Sequence, residues 1–278
     1  MLHLTARKSL GQHFLVDPKA HQRIVQAFAP GPEDIAIEIG PGTGLLTREL
    51  LASPLKKLIA FELDARAVPE LRAMFRTEGD RFEIEEQDFL ETDLAEIAEI
   101  EGRKLRVVGN IPYYITSPIL FKLIDERVDV RDALLLVQKE VAERLTSKPR
   151  TKAYGIPTVL ANFFGEVKLL FKVPAGAFRP VPKVDSALVR IDFERDYFTR
   201  TGAARPADFD EPGFRKLVRT LFSMRRKTIR NNLKALVTSD EIERLETSAI
   251  SQFLSARAEE LSIPDFLKLQ AAILHRMS

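Results

Sequence analysis

The residues best suited to chemistry are Asn110, Ile111, Pro112 and Tyr113, in the stretch Val107-Val108-Gly109-Asn110-Ile111-Pro112-Tyr113-Tyr114. A carboxamide offers an acceptor and two donors on one small group. Pro112 fixes its own φ and biases Ile111 toward an extended conformation, which lets the Ile111 carbonyl turn away from any helix. Tyr113 adds a flat ring beside both acceptors. An acceptor pair next to a ring suits a planar base with an exocyclic amine. A plain strand-to-helix turn, with Asn110 capping the next helix, fits the same residues.

Comparable residues follow other short apolar runs. Ile35–Ile39 leads into Gly40-Pro41-Gly42-Thr43-Gly44. Glycines there let the backbone approach a ligand at a helix N-terminus, where N–H groups favour an anionic group. A dinucleotide fingerprint places its third glycine one position later, where Leu45 stands. The G-x-G-x-G spacing, with Glu38 inside the preceding strand, is instead the pattern of S-adenosylmethionine-dependent methyltransferases. Glu62 lies at the offset expected of a carboxylate that accepts from two ribose hydroxyls, with Asp64 left to cap the next helix. Asp88 can receive an adenine amine while Phe89 packs on the base; a plain loop aspartate also fits. Phe178, in the proline-stiffened loop Phe178-Arg179-Pro180-Val181-Pro182-Lys183, reads as an exposed ring that could stack on a base. The alternative is a ring packed on the loop's own core.

These residues need a scaffold that gathers strand ends. Runs at 35–39, 58–64, 82–85, 107–110 and 133–138 read as strands, alternating with helical patterns at 45–51, 65–76 and from Thr116 or Ser117 onward. The alternation predicts an α/β fold, with one crevice above a parallel sheet. Runs at 167–173 and 186–193 read as an antiparallel hairpin at one sheet edge. Upstream, Asp17-Pro18 is a helix start, with a carboxylate cap and proline at the first helical position. Gly31-Pro32 ends that helix. The basic segment before it, about 1–17, contains Phe14 and Leu15, which need burial, and reads as a lid over a ligand or as a frayed tail.

From 195 to 212 the composition shifts to Arg, Asp, Thr, Gly and Pro, which marks a domain boundary: 1–200 for the catalytic domain and 201–278 for a smaller all-helical one. The segment 214–234 carries Arg219, Arg225, Arg226, Lys227 and Arg230 among its cations, and no acid. It reads as a phosphate-binding face, with a membrane surface as the weaker option. The loop holding Lys148, Arg150 and Lys152 is a second basic segment, suited to RNA contact or simply solvated. Later helices, about 240–246 and 264–277, balance their charge and look like packing. With a net charge of only +2, any nucleic acid must be held by such local patches. The absence of cysteine excludes disulfides and thiolate chemistry. No apolar run reaches the ~20 residues of a membrane span, and no signal peptide is evident, so a cytoplasmic protein is expected.

The sequence resembles the KsgA-type ribosomal RNA small-subunit adenine dimethyltransferases nearly end to end. The likeness is carried by Lys8-Ser9-Leu10-Gly11-Gln12-His13-Phe14-Leu15, Glu38-Ile39-Gly40-Pro41-Gly42-Thr43-Gly44, Asn110-Ile111-Pro112-Tyr113, Phe178-Arg179-Pro180-Val181-Pro182-Lys183-Val184-Asp185-Ser186 and Phe222-Ser223-Met224-Arg225-Arg226-Lys227. The last two are narrow, and favour the small-subunit enzymes over relatives that methylate large-subunit RNA. The resemblance implies a Rossmann-like class I methyltransferase sheet with S-adenosylmethionine as cofactor. The reaction implied is N6,N6-dimethylation of two adjacent adenosines in the 3′-terminal hairpin loop of small-subunit (16S) ribosomal RNA, within an immature 30S particle. It further implies that His13 and Leu15 line the methionine end of the cofactor, with Gly40 beneath it and Gly42 and Gly44 in the same loop. Glu62 would hold the ribose, Asp88 the adenine amine, and Asn110 would stand between cofactor and target. His13 and Tyr114 stand where many relatives have Asn. A monomer without metal is expected. Two other readings are an N6-adenine methyltransferase of large-subunit RNA, and an assembly factor whose main task is binding the small subunit.

Overall fold

The computed structural model describes residues 4–7 and 10–274. Lys8 and Ser9 of the first motif, and the end of the expected terminal helix, lie outside the described residues. The strands in chain order are β1 (Phe14–Leu15), β2 (Ile35–Ile39), β3 (Lys57–Glu62), β4 (Phe82–Glu86), β5 (Leu105–Asn110), β6 (Val130–Gln138), β7 (Glu166–Val173), β8 (Phe178–Arg179) and β9 (Ser186–Asp192).

A seven-stranded sheet runs in the order β4-β3-β2-β5-β6-β9-β7. β4, β3, β2, β5 and β6 are parallel, and β9 pairs antiparallel with both β6 and β7. The expected parallel sheet with an antiparallel edge hairpin is therefore what forms. β2 is buried at every position and β5 at all but its last, as expected of central strands covered on both faces, and each carries one buried charged residue, Glu38 and Arg106. The chain leaves β2 toward β3 on one side, and returns to β5 on the other. The carboxyl ends of β2 and β5 thus flank the topological switch point, where open α/β sheets bind ligands.

Local signals place the first helix as expected. Asp17 accepts from Lys19 N at 2.9 Å and Pro18 opens the helix Pro18–Phe28. The helix ends before Gly31-Pro32, because Ala29 adopts a left-handed conformation (φ 48°) and its N–H returns to Val25 O. β1 pairs with β8, in the register Phe14↔Arg179 and Leu15↔Phe178. Phe14 and Leu15 are thus paired into a strand and are not part of a frayed tail. The same pairing corrects the expectation for Phe178. Alternation along β8 turns Phe178 inward and Arg179 outward, so the Phe178 ring is 1% exposed and packs in the core with Leu15 and Phe28. Burying a phenylalanine this completely is favourable by roughly 1.5–3 kcal/mol, which outweighs anything gained by displaying it.

The described chain divides into two compact units, one up to 142 with 164–196, the other 143–163 with 197 onward. The boundary expected at 200 thus sits just past the second crossing, and 143–163 counts with the later unit. An aromatic cluster accounts for that membership: the Phe163 ring lies 4.2 Å from Phe214, 5.5 Å from Phe209 and 5.7 Å from Phe198 between centroids.

In the first unit, a buried ion network fixes β5 at the end away from Asn110. Arg106 grips Asp132 of β6 with two hydrogen bonds, at 2.7 and 2.9 Å, and pairs with Asp34 at 2.6 Å. Arg190 of β9 meets the same Asp132 at 2.8 Å. Removing the central carboxylate would leave Arg106 buried beside a cavity. Asp132→Ala should therefore lose about 3–5 kcal/mol of unfolding free energy, measured by urea denaturation followed by circular dichroism.

Candidate active site

The carboxyl ends of β2, β3, β4 and β5 converge on one cavity in the first unit. Its lining includes Glu38, Gly40, Glu62, Asp88, Asn110 and Tyr113, and the segment Leu10–Leu15 forms one wall. The loop after β2 is left-handed at Gly40, Gly42 and Gly44, with φ of 66°, 53° and 74°. These glycines do different things. A Cβ at Gly40 would meet nothing within 4 Å and would stand in open space. One at Gly42 would come within 3.0 Å of the Phe14 ring, and one at Gly44 within 2.7 Å of Leu71 Cδ2. Gly40 and Gly42 line the cavity; Gly44 does not, and is needed for close helix packing.

Glu62 is buried, with one oxygen accepting from Gly42 N at 3.0 Å and the other from Asp64 N at 2.8 Å. Each oxygen keeps a lone pair for a further donor, as a ribose diol requires. Burial raises its pKa, against the pull of those two N–H groups. Glu38 lies deeper, held by the Thr47 hydroxyl at 2.8 Å. Burial pushes Glu38 up to about 8, opposed by Thr47 and assisted by the Glu62 charge. Asp88 accepts from Leu90 N at 2.9 Å through one oxygen, and the other carries no hydrogen bond among the described residues.

Asn110 ends β5. Its Nδ2 donates to His13 O at 2.8 Å, which identifies Oδ1 as the end left to accept. Ile111 N donates to Leu136 O at 3.0 Å, while the Ile111 carbonyl accepts from no described residue. Two acceptors on consecutive residues are thus left at the end of the strand. Burial raises the Tyr113 phenol pKa above its ordinary value. The Tyr113 ring stacks on His13 at 5.8 Å and 24°. His13 Nδ1 donates to Pro180 O at 2.8 Å. Tyr114 is 57% exposed and packs over Gly11, where a Cβ would come within 3.0 Å of its ring.

Phe178 and Gly44 are the sequence-predicted pocket residues that do not line the cavity. The residue that local reasoning missed is Asp64. Expected only as a cap, it is a buried hub: Arg66 binds it at 2.6 and 2.8 Å and Gln12 Nε2 at 3.2 Å, with Arg7 at 3.7 Å. The Arg66 guanidinium above all holds this carboxyl well below the usual range. Arg66 also donates to Thr5 O, so the hub ties down the segment that walls the cavity. No window around residue 64 contains Gln12 or Arg7, and only the tertiary fold joins them.

The basic residues of the second unit divide similarly. Arg225 pairs with Glu259 at 2.7 Å and donates to the carbonyls of Lys152 and Tyr154; Arg230 pairs with Glu246. The acid-free window concealed these partners, because the acids arrive from later helices. Both arginines are corrected from free phosphate ligands to cations already engaged within the unit. Arg226 and Lys227 are exposed in the turn between the helices Glu211–Ser223 and Ile229–Leu233 and carry no ion pair among the described residues. Lys148, Arg150, Lys152 and Arg219 are also exposed, and Arg150 N donates to Glu259 O.

The glycine geometry separates two variants. Gly40→Ala should lose far more S-adenosylmethionine affinity in calorimetry, because its methyl enters the cavity. Gly44→Ala should lose more melting temperature, since overpacking costs about 1–3 kcal/mol on top of the left-handed strain. For Glu38, the folded-state pKa of about 8 stands above the ordinary 4.5, so the folded protein holds a proton that the unfolded chain gives up. Stability must fall as pH rises between those values. Glu38→Gln should flatten that fall, with its melting temperature gaining on the unsubstituted protein from about pH 5 to about pH 8.

The family model for ribosomal RNA adenine dimethylases matches residues 3–273. The chain is 43% identical to the ribosomal RNA small subunit methyltransferase A of Chlorobium phaeobacteroides, over 96% of this chain and 90% of that protein. It is 41% identical to the protein of the same name from Marinobacter nauticus, over 95% and 90%. Among solved structures, a dimethyladenosine transferase from Plasmodium falciparum superposes with a TM-score of 0.79 at 28% identity, covering 95% of this chain and 98% of that one. The 23S rRNA methyltransferase ErmE superposes with a TM-score of 0.67 at 26% identity, over 93% and 98%. With its sheet order, its cavity at the strand ends and this extent of likeness, the chain belongs to the ribosomal RNA adenine dimethylase family.

Proposed function

We propose that the chain methylates adenine N6 of small-subunit ribosomal RNA, twice on each of two adjacent adenosines, using S-adenosylmethionine. The observation that carries this reading is the acceptor pair at Asn110 and Ile111. The amide orientation is fixed by His13 O, and both acceptor oxygens are left for a ligand.

The cavity suits the cofactor. Glu62 has a lone pair on each oxygen for the ribose, Asp88 has a spare oxygen for an adenine amine, and Gly40 leaves room where a side chain would intrude. His13 and Leu15, in the wall formed by Leu10–Leu15, would border its methionine end. When bound, S-adenosylmethionine supplies an electrophilic methyl group on a sulfonium. The adenine amine is a weak nucleophile, because its lone pair is delocalised into the ring. In the first transfer, accepting its two N–H bonds at Asn110 Oδ1 and Ile111 O favours a pyramidal nitrogen and stabilises the positive charge that develops on it; in the second, one N–H remains for the pair to accept from. Holding the nitrogen in line supplies much of the remaining rate. The alkylated nitrogen is then acidic and loses its proton without a strong base. To reach this pocket the adenine must leave its stack, and Tyr113 offers a ring in place of the lost neighbours.

The RNA is held by phosphate contacts from the second unit, with Arg226 and Lys227 as its clearest ligands and Lys148, Arg150, Lys152 and Arg219 beside them in role. The substrate is an immature 30S particle, met in the cytoplasm by a monomer. Arg226→Ala and Lys227→Ala should each weaken particle binding and lower the slope of log K against log salt by about one, measured by filter binding across a salt series.

Asn110→Ala should keep cofactor affinity within several-fold by calorimetry yet lose most methyl transfer to unmethylated small-subunit particles. Near-normal turnover by that variant would refute the assignment. Nucleoside mass spectrometry after incubation with small-subunit particles, large-subunit RNA or duplex DNA identifies the substrate. Dimethyladenosine in large-subunit RNA alone would overturn the small-subunit reading.

A further inference from the structure

We infer that Ser186 is a positioning residue for methyl transfer, acting through the hydroxyl of Tyr113. This rests on the reading of Asn110–Tyr113 as the target-base pocket. Ser186 is fully buried at the start of β9, where it pairs with Gln138 of β6 and Val173 of β7. Its hydroxyl lies 3.0 Å from the Tyr113 hydroxyl. A buried hydroxyl needs a partner, and an alanine would fill this strand position without needing one. Each of these two hydroxyls is the other's partner. Burial, with the Asp185 charge, keeps the Tyr113 phenol in its protonated, hydrogen-bonding form.

Tyr113 is restrained by the residue before it and from two distant parts of the chain. Pro112, at φ −56°, sets the backbone entry. The His13 ring covers one face at 5.8 Å, and is itself anchored on Pro180 O. Ser186 holds the far end of the phenol, so that the ring can neither slide along His13 nor swing away from it. A ring fixed at both ends presents a ready stacking surface to an extruded purine; one fixed only at its Cβ must be ordered in each reaction. The loss from freeing it should therefore appear in the rate on bound RNA. Phosphate contacts elsewhere hold the particle, so its affinity should be unchanged.

The test is a double-mutant cycle of Ser186→Ala, Tyr113→Phe and the pair, with unmethylated small-subunit particles and saturating S-adenosylmethionine under single-turnover conditions. Each single variant should slow transfer about five- to tenfold, as the loss of one neutral hydrogen bond implies. The double variant should be no slower than either single one, and particle and cofactor affinities should stay within about twofold. An unchanged rate for Ser186→Ala overturns the inference, as do losses that multiply in the double variant or a slowing explained by weaker cofactor binding. If Ser186→Ala does not fold, Tyr113→Phe removes the same bond from its other end, and an unchanged rate there is equally fatal. A protein without these substitutions that fails to methylate the particle overturns the functional reading and this inference together. An active one with unaffected variants overturns the inference alone.

Discussion

The hydrogen bond from the Asn110 amide to the His13 carbonyl is the constraint on which the site depends. An unrestrained carboxamide can present either end to a ligand. Engaging its nitrogen elsewhere leaves an oxygen toward the cavity, and the Ile111 carbonyl supplies a second beside it. The bond also joins the last residue of a central strand to the segment that walls the cavity. The contact that sets the acceptor geometry is thus also one of several that hold the cavity wall, beside the β1–β8 pairing, the His13–Pro180 bond and the Gln12–Asp64 bond.

Much of the architecture exists to hold that contact still. Asn110 ends a strand flanked by parallel neighbours and pinned at its opposite end by the Arg106–Asp132 network. His13 is placed by three things: the β1–β8 pairing beside it, its own ring bond to Pro180, and the Asp64 hub that fixes Gln12. Buried ion pairs contribute little net stability when compared with a well-packed apolar core, but they penalise any shift in register. For the proposed alignment of a nitrogen with a methyl donor, that intolerance is useful.

The sheet was legible because apolar runs followed by glycines, acids or amides have few interpretations, and the strand-end residues Gly40, Glu62, Asp88 and Asn110 do meet in one cavity. What the sequence concealed has a common cause. Phe178 looked displayed because its neighbours are prolines and cations, but β1 reaches across to pair with it and turns it into the core. Arg225 and Arg230 looked free because no acid is near in sequence, but Glu259 and Glu246 arrive from later helices. Asp64 looked like a cap because its partners Gln12 and Arg7 are about fifty residues upstream. Local composition reports what a residue can do, whereas long-range pairing decides which of those options is left.

The Asp64 hub has a practical bearing on how the protein is handled. Thr5, Arg7 and Gln12 reach the hub or its arginine, and Gln12 itself lies in the wall of the cavity. Trimming the chain ahead of Leu10, or displacing it with a bulky fusion, would strip partners from a buried carboxylate and loosen that wall. Such an edit is an operation on the cavity, although it touches neither the glycine loop nor the Asn110 stretch.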